Sequence, residues 1–119
     1  MIELDAAGAV AARALDGLYM RQLAVAHNIA NANSAAFSPL RVSFESALQQ
    51  AYAAANRRGD YSGVTVAPIS VLADTTDTVR VDLEISASAE NAMQYSMLLG
   101  MLDRRLQLLS LAVREGRSL

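Results

Sequence analysis

The longest uninterrupted helical pattern runs from Asp82 to Glu115. Every seventh residue from Ile85 is small or apolar (Ile85, Ala92, Leu99, Leu106, Val113), and an interleaved set three further on comprises Ser88, Tyr95, Leu102 and Leu109. This a/d alternation spans about four heptads, the period of a supercoiled helix. Leu98, Met101, Leu108 and Leu111 add apolar surface beside that seam, so the helix is expected to need more than one neighbour. A second seven-residue pattern occupies the first segment, with Leu4, Ala11, Leu18 and Val25 in one row and Gly8, Leu15, Gln22 and Ile29 in another. It predicts a helix over residues 1–31, complementary to a helix over 82–116, the two packed as an antiparallel coiled coil. Gly8 and Gly17 each weaken an isolated helix by about 1 kcal/mol relative to Ala, so this end requires a partner.

Between the two lies a short middle, 32–81. The Asn28, Asn31, Asn33 and Ser34 side chains compete with the helical ladder, so the first helix ends there in a structured turn. Pro39 prolongs that turn to about Leu40. Val42–Tyr52 reads as a short helix with Ser43 as its N-cap and with Phe44, Leu48, Ala51, Tyr52 and Ala55 on one face. Arg57, Arg58 and Gly59 close it, the arginines favourable to the helix dipole and the glycine suited to a left-handed cap. Residues 63–72 are rich in β-branched side chains but broken by Pro68, which predicts an edge strand, a hairpin arm or an extended loop.

Composition bounds what such a chain can be. Its 119 residues, 53% of them hydrophobic, suit one domain with a core. Much of that apolar content is alanine, and there are only four Tyr and two Phe, so thin helical layers with bulk supplied from outside are expected. A net charge of −2, with ten dispersed Arg, gives no basic footprint for nucleic acid. With no cysteine, disulfides and thiolate metal sites are excluded. Glu3 and Asp5 stand where a cleavable leader carries positive charge, and no apolar run approaches the ~18 residues of a membrane span.

Candidate chemistry is sparse. His27 is the sole histidine and lacks the nucleophile and acid that a catalytic base requires; a helix-face contact is the simpler role. Asp74 and Asp77 flank two threonines but lack the glycine and the 12-residue spacing of a calcium loop. No arrangement of nucleophile and base, phosphate loop or metal set is present, so neither an enzyme nor a cofactor is expected.

The run Asn28-Ile29-Ala30-Asn31, followed by Phe37, resembles the Asn-Ile-Ala-Asn motif near the N-terminus of bacterial flagellar rod and hook proteins. Where that family continues Thr-Pro-Gly, this chain has Ser34-Ala35-Ala36, which keeps the aromatic anchor but not the tight turn. Val81-Asp82-Leu83-Glu84, Asn91 and Met93-Gln94-Tyr95 resemble the C-terminal helix of proximal members of the basal-body rod family. The resemblance covers both terminal helices and only weakly the middle. It implies a structural subunit of the proximal rod, exported without a cleaved signal and located in the flagellar basal body. Its partners would be other rod subunits and the export-gate adaptor at the rod base. The implied assembly surface comprises Leu4, Leu15, Leu18, Val25, Asn28, Ile29, Asn31 and Phe37 on the N-terminal side. On the C-terminal helix it comprises Tyr95, Leu98, Leu99, Leu102, Leu106, Leu109 and Val113. A sister rod protein, another axial paralogue, and a soluble helical adaptor or chaperone-like module remain the alternatives.

Overall fold

The computed structural model describes residues 6–59 and 69–118, with side chains from 8 to 59 and from 69 to 116. In chain order it has α1 (Ala6–Ala30), β1 (Leu40–Ser43), α2 (Glu45–Arg58), β2 (Ser70–Ala73) and α3 (Val81–Ser118). Among the described residues the fold is mainly α, with one small two-stranded antiparallel sheet. Leu4 lies outside the described residues, as does the Gly63–Pro68 part of the expected arm.

The predicted long helices are present. Asn28 meets Glu84, Gln22 meets Ser88 and Leu18 meets Asn91, so α1 and α3 run antiparallel. At 1.5 Å per residue the 38-residue α3 is about 57 Å long, which accounts for most of the 66 Å length of a molecule 66 × 27 × 18 Å across. The radius of gyration, 18.2 Å, exceeds the ~13.5 Å of a compact chain of this length, so the shape is that of a ribbon.

Two expectations are corrected by the structure. First, Leu40–Ser43 is a strand, and Ser43 does not cap a helix: Val42 is buried and Leu40 half-buried, while Arg41 and Ser43 are exposed. These residues alternate across the sheet, pairing Leu40 with Ala73 and Val42 with Val71. The N-cap position of α2 falls one residue later, at Phe44, with no side-chain cap; the Leu48 N–H donates to the Phe44 carbonyl at 3.0 Å. Its predicted end is present, with Gly59 left-handed at φ 67° and its N–H reaching Ala55 and Asn56.

Second, the a/d register of α3 is displaced. Ile85 and Leu99 are exposed, whereas Glu84 and Asn91 are buried and Leu98 half-buried. The row that packs with Ser88, Tyr95 and Leu102 is therefore 84, 91, 98. The heptad pattern selected apolar Ile85 and Leu99, but polar Glu84 and Asn91 are the residues that meet hydrogen-bond partners across the interface.

The core sits where α1 crosses β1 and the start of α2. Leu18, Ala24, Val42, Phe44 and Leu48 are buried there, with Val10, Ala14, Met20, Tyr95 and Leu98 packed around them. Gly17 makes this crossing possible: a Cβ at that position would stand 2.5 Å from the Phe44 ring. Gly17→Ala should therefore destabilise the fold by roughly 1–3 kcal/mol through overpacking, despite the better helix propensity of Ala. A lowered thermal midpoint checks this; an unchanged or raised midpoint would mean that the ring moves aside freely.

Candidate assembly surface

The assembly residues proposed from sequence divide into two groups. Leu18, Val25 and Asn28 are buried within the chain, and Leu15, Ile29, Asn31, Phe37, Tyr95, Leu98, Leu102 and Leu109 are half-buried. Leu99, Leu106 and Val113 are exposed, at 48, 38 and 43%. Leu18, Val25 and Asn28 hold the protein's own elements together, while the half-buried Leu102 and Leu109 and the three exposed residues keep surface available to a neighbour.

Asn28 is the hinge pin of the first group. It is fully buried, and its amide satisfies both backbone groups of Leu40: Leu40 N–H donates to Oδ1 at 2.7 Å, and Nδ2 donates to the Leu40 carbonyl at 3.0 Å. Nδ2 also reaches Glu84 Oε2 at 3.2 Å. The other Glu84 oxygen accepts from Arg41 Nη1 at 2.7 Å, and Arg41 Nη2 reaches Asp77 at 3.3 Å. One network thus ties the end of α1, the start of β1 and the first turn of α3. The hydrogen bond to Glu84 and the two nearby carboxylates raise the Arg41 pKa above its ordinary value, so the guanidinium stays charged.

Asn31 plays a smaller part, its Nδ2 closing α1 on the His27 carbonyl at 2.8 Å. The His27 and Phe37 rings meet edge to face, centroids 5.4 Å apart, which gives the histidine the helix-face contact expected of it.

Farther along the α1–α3 interface, Asn91 Nδ2 donates to the Leu18 carbonyl at 2.8 Å and to Gln22 Oε1 at 3.0 Å. Gln22 in turn donates to Ser88 Oγ at 2.7 Å. Polar groups inside an apolar seam fix its register, because a one-heptad slip would leave them unpaired. Arg21 secures the other side of α1. Its guanidinium lies 4.7 Å over the Phe44 ring and donates to the Val42 carbonyl at 2.7 Å and to Glu45 at 2.6 Å. That hydrogen bond lowers the Glu45 pKa below 4.5.

Leu106 and Val113 lie on the outward reach of α3, with Leu109 between them. Continuing the pairing of α1 with α3, Ala6 stands opposite roughly residue 105, so about three turns of α3 run past the described part of α1. At 100° per residue, Met101, Leu102, Leu106, Leu108, Leu109, Ala112 and Val113 occupy about half the helix circumference. Met101, Leu106, Leu108 and Val113 are exposed, as are Met93 and Met97 one to three turns earlier. Gly17, Arg21, Arg41, Glu84 and Met97 are not among the assembly residues expected from sequence. Glu84 and Asn91, one heptad apart with Ser88 between them, are the signal that could have found the polar seam.

Between α2 and α3, over α1, an open groove of about 420 Å³ is lined by Ala14, Leu18, Phe44, Leu48, Met97, Leu98 and Met101, with Glu45 and Gln94 at one edge. Among the described residues there is no cluster of His, Asp or Glu able to hold a metal ion, and no helix is long and apolar enough to cross a membrane. Asp74 and Thr76 form a local turn, the hydroxyl donating to Asp74 Oδ1 at 2.6 Å and lowering the pKa of that carboxyl. In comparison with known proteins, no family model matches the chain, and no curated protein matches it.

Two outcomes test the network. Asn28→Ala should cost about 2–4 kcal/mol in chemical denaturation, since it strands the Leu40 backbone groups, whereas Asn31→Ala should cost less than about 1 kcal/mol. Equal losses would remove the special role given to Asn28. Glu45, with its folded pKa depressed, contributes stability that is present above pH 4.5 and is lost as pH falls through the lowered folded value. Glu45→Gln should flatten the acid limb of stability against pH below 4.5 and leave its shape near neutrality unchanged.

Proposed function

We propose that this protein is a structural subunit of the proximal rod of a bacterial flagellar basal body, of the FlgB type. The observation that carries the reading is the broad apolar arc on the outward half of α3, exposed along a ribbon too thin to bury it. Such a surface marks a site of association. In this reading α1 and α3 form an antiparallel coiled coil whose uncovered side packs against neighbouring rod subunits, and the assembled shaft transmits torque mechanically.

Further support comes from the motif residues themselves. In the Asn-Ile-Ala-Asn run, Asn28 is the buried pin that ties the end of α1 to the start of β1, and Asn31 closes the helix. A motif whose residues fix the geometry of the chain suits a building block whose work is shape. The chain would be exported without a cleaved signal and would meet sister rod subunits and the export-gate adaptor at the rod base. A sister rod protein of the FlgC type or a divergent axial paralogue would use the same surfaces.

A second reading, a helical adaptor that seats one partner helix, is favoured by the open groove between α2 and α3. It differs in stoichiometry, since an adaptor stops at a small discrete complex.

The test is genetic and direct. Replacing the chromosomal gene with Leu106→Asp should abolish swimming and leave purified basal bodies without this subunit, while circular dichroism of the purified variant keeps its helix content. Normal motility in that strain, or in a clean deletion, would overturn the rod reading.

A further inference from the structure

The charges of α3 are sorted along its length. From Val81 to Asp103 it carries Asp82, Glu84, Glu90 and Asp103 and no basic residue; from Arg104 onward it carries Arg104, Arg105, Arg114 and Arg117 against Glu115 alone. Complementarity to the helix dipole accounts only for the terminal turns, because that effect fades within one turn of each end. Glu90, Arg104 and Arg105 lie farther inside.

The groove between α2 and α3 sits on the acidic half. Its floor is Leu18, Phe44, Leu48 and Leu98, with Met97 and Met101 along one wall. At its edge, Glu45 and Gln94 are shared with a smaller polar hollow that also includes Glu90. Arg21 offsets Glu45 within the chain, which leaves the exposed Glu90 to set the sign of that edge. The outward half of α3 has the opposite character: Leu106, Leu109 and Val113 form an i, i+3, i+7 ridge on a basic segment. Helices dock in apolar grooves through such ridges, and methionine walls adapt to them.

We infer that the occupant of this groove is the outward half of α3 from a second copy of the chain, running parallel and displaced by two heptads, about 21 Å. That displacement carries the ridge at Leu106–Val113 onto the segment around Ala92–Leu99 and brings the basic half of one α3 alongside the acidic half of the next. The ridge and the groove are different surfaces of one molecule, so the contact is heterologous: every copy that fills a groove offers its own to another, and because each step also advances about 21 Å along parallel helices the series does not close on itself. This rests on the axial-subunit reading and deepens it by naming which surface of one copy receives which surface of the next.

The absence of cysteine makes the test clean. Met101→Cys in the groove wall and Val113→Cys on the ridge are both exposed positions. Under oxidation, the full-length double variant should give a ladder of disulfide-linked multimers. An equimolar mixture of the two single variants should give a mixed dimer and stop there. Adding Glu90→Arg to the double variant should lower the ladder yield several-fold at unchanged helix content. A double variant that closes as a dimer with two disulfides would replace the head-to-tail contact with a two-fold one and overturn the inference, as would a chain that stays monomeric. Loss of swimming in the Leu106→Asp strain beside a monomeric double variant would retain the rod reading while removing this contact.

Discussion

The structure depends on one buried primary amide. Asn28 occupies the last turn of α1, has no solvent contact, and satisfies both backbone groups of Leu40. A buried amide left unpaired costs far more than a paired one contributes, so the chain after α1 is held to a path that brings Leu40 back against the helix. That return places β1, and β1 places Phe44 on Gly17. The same amide supports Glu84, a nearly buried carboxylate that Arg41 neutralises from the neighbouring strand residue. Helix α3 therefore starts where Asn28 and Arg41 hold its first turn.

From this node the α1–α3 interface runs in one register. A purely apolar seam would tolerate sliding by a heptad at little cost, since leucine meets leucine again. Here Gln22, Ser88 and Asn91 form a second polar cluster about two turns from the first. Two such clusters must both find their partners, and a shifted pairing satisfies neither. A ribbon with so small a core gains orientation from these groups more than it gains depth of burial.

The economy of that core bears on function. Alanine and glycine let α1 approach its neighbours closely, and the large apolar side chains left over lie outside, on α3. A long helix that runs past the described part of α1, with an apolar arc on that stretch, fits the proposed component whose burial other molecules would complete. In the proposed contact, the sorted charges of α3 and the groove beside it would give that completion a direction. On the proposed rod reading, rigidity would come from the assembly, as suits a shaft.

Several features were legible from sequence because they rest on local physics. The period of the two terminal helices, the cap at Arg58-Gly59, the turn after Asn31 and the excess of apolar surface on α3 each follow from side-chain spacing or backbone preference within a few residues. Leu40–Ser43 was not legible as a strand, because its partner Ser70–Ala73 lies some thirty residues away and four residues carry no period of their own. The seam on α3 was misjudged by one residue for a related reason: hydrophobicity ranks Ile85 and Leu99 above Glu84 and Asn91, and only the partners waiting at Asn28, Arg41, Leu18 and Gln22 reverse that ranking. The sequence by itself determined which segments are helical and that more apolar surface exists than one thin chain can bury. Tertiary structure alone decided which face turns inward, because the free energy of a polar side chain depends on whether a partner stands opposite it, and that is a property of the fold.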